Sequence, residues 1–218
     1  MTIGIIAAMD KEIKKYKEIF KLEKTNETLN IYEGIYDNKK IILCLSGIGK
    51  VNAAATTQYL IDEYNPNIII NSGCAGSLLE NVKVLDTIIA SYVTYHDFSP
   101  VRIMKECVPD NGLVKPDTNI IEKIELILKE NNIKYHIGGI ASGDCFVTSS
   151  SMRDDIYSRT NCLAVDMESA SIGHISKKNN IPFIIIRSIS DFADGIEEKE
   201  EQAANISAII TKNFINKM

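Results

Sequence analysis

The sequence predicts an α/β protein with three layers, α/β/α, and a central, mostly parallel mixed sheet. Short apolar runs rich in Ile and Val recur along the chain, and segments with helical spacing of apolar residues separate them. Most of these runs are continuously apolar, which is typical of strands buried on both faces of a sheet. Strands that alternate with helices favour parallel pairing, because a parallel connection has to cross over the sheet.

Seven apolar runs are predicted as strands, since each is short and is closed by Gly, Ser, Asn or Asp. In chain order they are Ile3–Ala8, Lys40–Leu45, Ile68–Asn71, Thr87–Ala90, Tyr135–Ala141, Cys162–Asp166 and Phe183–Ile189. Their apolar character on both sides predicts that helices cover both faces of the sheet.

Five segments between these strands are predicted as helices. In the first of them the apolar residues Ile13, Tyr16 and Phe20 recur at helical spacing. The five are Asp10–Phe20, Lys50–Tyr64, Asn119–Asn131, Glu168–Asn179 and Glu197–Asn216, the last beginning with the acidic run Glu197–Glu201. The stretch His96–Asp117 is polar and contains three prolines, so we predict a long loop near the functional site.

The amino-acid composition disfavours some classes of function. A length of 218 residues with 45% hydrophobic and 24% charged residues is typical of one globular domain, residues 1–218. The net charge of −5 disfavours a nucleic-acid or anionic-membrane partner, because phosphates bind to basic surfaces. We therefore expect a small-molecule ligand.

The five cysteines are odd in number and form no C-x-x-C pair, which disfavours a zinc site and a disulfide framework. The chain starts with MTIGIIAAMDKE, an apolar run without the basic region of a signal peptide. No apolar stretch approaches the roughly 20 residues of a membrane span. A cytoplasmic protein is expected.

Sheets of this class bind ligands at the carboxyl ends of their strands. The residues that follow apolar runs are therefore the candidate site. They are Glu12, the turn Ser46–Gly49, the segment Gly73–Gly76, Asp144, Met167, Glu168, Ser190 and Asp191.

Two glycine-rich segments invite a phosphate-binding interpretation. The first, Gly47–Asn52, starts like a dinucleotide-binding fingerprint, but Asn52 occupies the position of the third glycine. Gly49–Lys50 resembles a P-loop, but Val51 replaces the required Ser or Thr. A tight strand-to-helix turn is the better prediction. The second segment, Asn71–Gly76, has small residues whose backbone amides would be open to a ribose, a water or an anion.

The candidate carboxylates each have a plain structural alternative. Taken alone, Glu12 is explained as an exposed glutamate in the first turn of a helix and Glu168 as a residue at a helix start, because the helix dipole stabilises a negative charge at both positions. Asp191 is equally consistent with a cap for the next turn and with a protonated general acid. Arg187 lies within a buried apolar run, where it needs an acidic partner.

Together these segments resemble the 5'-methylthioadenosine/S-adenosylhomocysteine nucleosidase family, within the nucleoside phosphorylase superfamily. The resemblance covers Ile3–Asp194 and rests on the ordered motifs IGIIAAMDKEI, LSGIGKVNAA, INSGCAGSL, YHD, SGDCF, AVDMES and IIRSISDFAD. It implies a nucleoside phosphorylase-like fold and a homodimer. It also implies a hydrolase that cleaves the N-glycosidic bond of a purine nucleoside with no metal or cofactor.

The resemblance assigns two catalytic residues. Glu12 would activate the attacking water. Asp191, steadied by Ser190, would donate a proton to the ring nitrogen of the departing purine, and Arg187 would act in support near Glu12. Such carboxylates suit the oxocarbenium-like transition state of glycosidic cleavage.

The resemblance also assigns substrate contacts. Glu168 would bind the ribose hydroxyls, with Met167 packed under the sugar. Phe146 would stack on the purine and the backbone of Val147 would read its edge. The ribose and water side would be completed by Ile48 and by the backbone of Cys74, Ala75 and Gly76.

The segment that follows His96–Asp97 departs from the family. There, FSPVRIMKECVPDN replaces residues that wrap the 5' substituent across a dimer interface, although apolar Val101, Ile103 and Met104 are consistent with such a contact. Ile196 takes the approximate place of an aromatic lid residue. Cys74, Ser77 and Asp166 replace a serine, a glycine and a glutamate. The sequence therefore leaves open which 5' group the substrate carries.

Three functions remain. The first is hydrolysis of 5'-methylthioadenosine, S-adenosylhomocysteine or 5'-deoxyadenosine to adenine. The second is a futalosine-type nucleosidase or a phosphorylase, the latter kept open by Arg102 in the altered segment. The third is a non-catalytic nucleoside sensor, which would not need both Glu12 and Asp191.

Overall fold

A nine-stranded sheet forms the middle layer of the computed structural model, which describes residues 1–196 and 199–218. In chain order the strands are Thr2–Ala7 (β1), Glu23–Asn26 (β2), Ile31–Tyr36 (β3), Lys39–Leu45 (β4), Ile68–Ser77 (β5), Thr87–Tyr95 (β6), Tyr135–Ser142 (β7), Ala164–Asp166 (β8) and Phe183–Asp191 (β9). The helices are Asp10–Phe20 (α1), Lys50–Tyr64 (α2), Val101–Cys107 (α3), Thr118–Glu130 (α4), Ser150–Thr160 (α5), Ser169–Lys178 (α6) and Glu200–Asn216 (α7).

The strand order is β2-β3-β4-β1-β5-β8-β7-β6-β9, and β5 also pairs with β9. The extra pairing closes β5, β8, β7, β6 and β9 into a ring. Strand β1 is parallel to both β4 and β5, β5 is parallel to β9, and β7 is parallel to both β6 and β8. The remaining four pairings are antiparallel, which confirms the predicted mostly parallel mixed sheet.

Helices cover both faces of the sheet, as the continuous apolar runs predicted. Helices α1, α4 and α7 bury apolar stripes against one face, and Tyr16, Leu128 and Phe214 belong to that core. Helices α2 and α6 cover the other face, where Leu60 and Ile172 are fully buried. None of the described helices is long and apolar enough to cross a membrane.

The prediction of a loop over His96–Asp117 is wrong. Helix α3 occupies Val101–Cys107 and a short 3-10 turn follows at Pro109–Gly112. The helix forms because Met104 is buried against the core, together with Val108, which follows the helix. The sequence predicted a loop because the stretch is polar and because Pro100 and Pro109 closely flank the short helix.

The sequence also failed to predict β2, β3 and α5. Strands β2 and β3 lie at the edge of the sheet, and β2 is almost wholly exposed, so it carries no apolar run. Helix α5 buries Ile156 alone. It is stabilised instead by a cap, because the Ser149 hydroxyl accepts a hydrogen bond from the backbone N–H of Met152 at 3.3 Å.

Three strands run well past their predicted ends, β6 among them as far as Tyr95, and the extensions of the other two build the site. Strand β5 continues to Ser77 and β9 continues to Asp191, with Gly73 paired to Arg187 in the ladder. The predicted ends fell short because the added residues are small or polar. The predicted helix start at Glu197 lies outside the described residues, and α7 is described from Glu200.

Candidate active site

The carboxyl ends of β1, β5, β8 and β9 surround a cavity of about 360 Å³. This is the edge of the sheet at which the sequence predicted a site. The cavity wall contains the predicted residues Glu12, Ile48, Cys74, Ala75, Gly76, Phe146, Val147, Met167, Glu168, Ser190 and Asp191. Arg187 lies behind the wall in β9. The other candidates, Ser46, Gly47, Gly49, Gly73 and Asp144, are not part of the wall.

Glu12 is held at one side of this cavity by backbone amides. Helix α1 starts directly after β1, so the Glu12 side chain turns back and accepts from the N–H groups of Ala8 at 2.8 Å and Met9 at 3.0 Å. Its other oxygen accepts from the N–H of Cys74 at 2.9 Å. The residue is 1% exposed, so the alternative of an exposed first-turn glutamate is wrong.

Arg187 lies in the middle of β9 and is buried against three carboxylates. Its Nη2 is 2.7 Å from Oδ2 of Asp166 and 3.4 Å from Oε2 of Glu168, and its Nη1 is 3.6 Å from Oε1 of Glu12. Burial alone would lower the pKa of the guanidinium, but Asp166, Glu12 and Glu168 reverse this and raise it. Arg187 is therefore a permanent cation behind the cavity wall.

Asp166 is not among the predicted site residues, although it is the nearest acidic partner of Arg187. Asp166 accepts hydrogen bonds from the hydroxyls of Ser142 and Ser169. Asn71 completes this cluster, since its Oδ1 accepts from Nη2 of Arg187 at 3.0 Å. The signal was present in the sequence as polar residues within apolar strands, which a buried network requires.

Glu168 precedes α6 but does not cap it. Its Oε1 accepts from the backbone N–H of Gly49 at 2.9 Å, so the interpretation as simple helix-start chemistry is wrong. Burial, and then the neighbouring negative charge of Asp166, raise the pKa of Glu168 from 4.5 to about 7. The carboxyl group lies on the cavity wall, where it is able to meet two vicinal hydroxyls.

The Gly47–Lys50 turn joins neighbouring loops through hydrogen bonds to carboxylates. Gly49 has φ of +100°, a conformation that favours glycine. The Lys50 N–H donates to Asp144 at 2.8 Å and its Nζ donates to Asp97 at 2.6 Å. The lysine of the apparent P-loop is therefore committed to neighbouring carboxylates, which agrees with the predicted tight turn.

Asp191 lies on the cavity wall as the last residue of β9. Its Oδ2 accepts from the Ser190 hydroxyl at 2.6 Å and its Oδ1 accepts from the backbone N–H of Ala193 at 2.8 Å. The carboxyl group therefore caps the following turn and also borders the cavity. Gly76 leaves room for it, because a Cβ there would lie 3.0 Å from Oδ1.

The rest of the wall is mainly apolar. Phe146 and Ile48 are each 51% exposed at the cavity, whereas Val147 is buried. Such exposed apolar surface suits the flat face of an aromatic ligand. The described residues contain no cluster of three or more His, Cys, Asp or Glu side chains that would hold a metal ion.

The altered segment after Asp97 lies on α3. Val101 is 51% exposed and Ile103 is partly exposed, but Met104 packs into the core, so the predicted contact role of Met104 is wrong. The side chain of Arg102 is 78% exposed and pairs with Glu106 at 2.9 Å. Its place on the outer face of α3 does not support the phosphate site for which it was considered.

The chain is similar in sequence to known proteins. The chain matches the phosphorylase superfamily over residues 2–216. It is 35% identical, over 98% of each chain, to a 5'-methylthioadenosine/S-adenosylhomocysteine nucleosidase of Staphylococcus haemolyticus. The chain belongs to this nucleosidase family.

Solved structures agree with membership of the nucleosidase family. An aspartate-to-asparagine mutant of the Helicobacter pylori nucleosidase, with 5'-methylthioadenosine in its active site, superposes with a TM-score of 0.93 at 30% identity and covers 100% of this chain and 99% of that one. Futalosine hydrolase of Helicobacter pylori also superposes with a TM-score of 0.93, at 29% identity, and covers 100% and 98%. The predicted family, fold class and enzyme class, a hydrolase of N-glycosyl compounds, are confirmed.

Proposed function

We propose that the protein hydrolyses the N-glycosidic bond of 5'-methylthioadenosine, S-adenosylhomocysteine or 5'-deoxyadenosine, releasing adenine and the 5'-substituted ribose. One observation carries the proposal. Two carboxyl groups, Glu12 and Asp191, border a single cavity whose wall also contains Glu168 and an exposed aromatic ring, Phe146. The reaction needs a group that activates water and a group that donates a proton to the leaving base. It also needs an acceptor for the ribose hydroxyls and a surface on which the purine stacks.

Glu12 is proposed to activate the attacking water. Three backbone N–H groups hold its carboxylate in one orientation, and Arg187 lies within 3.6 Å of Oε1. These donors fix the geometry of a carboxylate that lines the cavity. A carboxylate held in this way accepts a proton from water as the water approaches the anomeric carbon of the sugar.

Asp191 is proposed to protonate the ring nitrogen of the leaving purine. The Ser190 hydroxyl and the Ala193 N–H hold the two carboxyl oxygens at 2.6 and 2.8 Å. Protonation makes the base a better leaving group, and cleavage passes through an oxocarbenium-like sugar. The carboxylates of Glu12 and Glu168 lie on the same cavity wall and stabilise the developing positive charge.

The remaining contacts are proposed to orient the substrate. Glu168 accepts hydrogen bonds from the two ribose hydroxyls, with Met167 packed under the sugar. Phe146 stacks on the purine while the backbone of Val147 reads its edge. These assignments agree with the partly exposed ring of Phe146 and the buried position of Val147.

The experiment measures free base released by the purified protein. The panel contains 5'-methylthioadenosine, S-adenosylhomocysteine, 5'-deoxyadenosine and the matching inosines, each with and without phosphate. We expect adenine release that does not depend on phosphate. Phosphate-dependent formation of ribose 1-phosphate would identify a phosphorylase, and ligand binding without release of base would identify a sensor.

A futalosine-type nucleosidase is the second candidate. The superposition on futalosine hydrolase with a TM-score of 0.93 supports it, and so does the altered segment that carries α3. Hydrolysis of futalosine in preference to the three adenosines would establish this alternative.

We further propose a homodimer that acts in the cytoplasm and serves methionine salvage. Exposed Val101 and Ile103 on α3 offer an apolar contact surface. The released methylthioribose retains the methylthio group of methionine, which is the chemistry that salvage requires. Light scattering should report twice the mass of the chain, and Ile103→Glu should shift it toward one chain.

A further inference from the structure

An ion pair on the cavity wall has no part in the chemistry proposed above. Lys11 follows the start of α1 and neighbours Glu12, while Glu200 begins α7. The ammonium group of Lys11 contacts Oε2 of Glu200. Both residues line the cavity, and Lys11 is the one cationic side chain on its described wall.

A second ion pair joins the same two helices outside the cavity. Nζ of Lys14 lies 3.2 Å from Oε1 of Glu201, and these side chains are 64% and 60% exposed. The side chains of Lys11 and Glu200 are 36% and 16% exposed. Two ion pairs therefore link α1 to α7. Of the two, the less exposed pair, Lys11–Glu200, alone lines the cavity. Its charges lie where a substrate is able to reach them.

The shape of a nucleoside indicates which part of the substrate meets this pair. Asp191 and Val147 bound the base end of the cavity, and Glu168 takes the diol. On the sugar ring, the carbon that carries the 5' group lies across the ring oxygen from the carbon that carries the base. The 5' substituent therefore leaves the sugar from the far side of the ring oxygen. Once Glu12, Glu168 and Asp191 are assigned to the water, the diol and the base, and Asp166 to Arg187, the charged residues that remain on the described wall are Lys11 and Glu200.

We propose that Lys11 and Glu200 bind the amino-acid tail of a 5'-substituted adenosine of the S-adenosylhomocysteine type. Such a tail carries one carboxylate and one ammonium group. An ammonium has three donors, so Lys11 retains donors for the carboxylate, and Oε1 of Glu200 accepts from the tail's ammonium. Charge-assisted hydrogen bonds of this kind select a zwitterion over an uncharged methylthio group. This inference rests on the proposed function, and it specifies which 5' substituent the site prefers.

The test compares kcat/KM for S-adenosylhomocysteine and 5'-methylthioadenosine. Lys11→Met and Glu200→Gln should each lower the value for S-adenosylhomocysteine by about 10-fold or more, mainly through KM. The value for 5'-methylthioadenosine should change by less than about twofold, because that substrate has no charged tail. The matched controls Lys14→Met and Glu201→Gln remove the outer pair and should leave both substrates unchanged.

Parallel losses for both substrates, or equal effects of the control variants, would show that the pair only holds the helices together and would overturn the inference. So would a loss confined to futalosine, which carries a carboxylate without an ammonium. If the wild type releases no base, the proposed function fails, and the tail is then tested by calorimetry. Lys11→Met should weaken binding of S-adenosylhomocysteine about 10-fold or more, and an unchanged Kd would overturn the inference.

Discussion

Arg187, which lies behind the cavity wall, is paired with Asp166, with Nη2 2.7 Å from Oδ2. Both side chains are almost fully removed from solvent. Asp166 is thus the acid nearest to the arginine, while Glu12 and Glu168 lie 3.6 and 3.4 Å from it and also line the cavity. This arrangement separates the acid that balances charge from the acids proposed to act on substrate.

Asp166→Asn should destabilise the protein by about 3 kcal/mol, because it removes the nearest partner of a buried cation and leaves Arg187 with the more distant carboxylates of Glu12 and Glu168. Urea denaturation at pH 7.5 measures the free energy of unfolding. Asp155→Asn is the control, since Asp155 pairs with Arg159 at the same 2.7 Å but on the surface. Equal effects of the two substitutions would contradict the role given to Asp166.

Glu168→Gln should change how stability depends on pH. The pKa of Glu168 is raised from 4.5 to about 7 in the fold, so between these values the folded protein holds a proton that the unfolded chain has lost. The stability of the wild type relative to Glu168→Gln should therefore fall as pH rises from about 4.5 to 7 and then level off. The slope should be at most about 1.4 kcal/mol per pH unit.

The measurement for Glu168 is urea denaturation of both proteins at pH 5, 6, 7 and 8. Glu122→Gln, on the exposed side of α4, serves as the control and should track the wild type across the range. A difference between wild type and Glu168→Gln that is flat or rises with pH would refute the raised pKa.

Asp191→Asn should lower kcat by about 10²- to 10⁴-fold, because the amide is unable to donate a proton to the leaving base as an acid does. Binding should survive, since the geometry of the cavity is retained. Adenine release and calorimetry with 5'-methylthioadenosine measure the two effects. Asp194→Asn, in the same loop, should leave both values close to wild type, and a comparable fall in kcat there would argue against a specific role for Asp191.

Gly73→Ala should impair catalysis although it replaces no ionisable group. A Cβ at this position would overlap the Glu12 carboxylate and the Arg187 guanidinium. Displacing Glu12 by a fraction of an ångström to one ångström should lower kcat/KM by about 10²-fold. In the control Gly34→Ala, the new Cβ meets the flexible end of Leu22, so activity should persist. Unchanged activity in Gly73→Ala would count against Glu12 as the water activator.

The sequence predicted the elements that bury apolar surface. Strands such as β1 and β4, and helices such as α1 and α2, follow from runs and spacings that the hydrophobic effect requires. It failed where other interactions hold an element in place. Strand β2 is stabilised by pairing at the sheet edge, and α5 by its Ser149 cap, so neither has an apolar signature.

The candidate site was likewise predicted only in part from the sequence. Its residues were found in the sequence because they end apolar runs and match ordered family motifs. Taken singly, Glu12 was expected on the surface, and it is buried because the N–H groups of Ala8, Met9 and Cys74 replace water around its carboxylate. Local sequence does not reveal such partners, since Cys74 is distant along the chain.

By itself the sequence determined the order of buried strands and helices, the family, and the set of polar residues at the strand ends. Only the tertiary structure decided that Asp166 is the nearest acid to Arg187, that Glu168 accepts from Gly49, and that Lys11 meets Glu200 on the cavity wall. The physical reason is that strand pairing and helix packing set these distances. Hydrogen-bond ladders between β5, β8 and β9 bring together side chains that no local pattern connects.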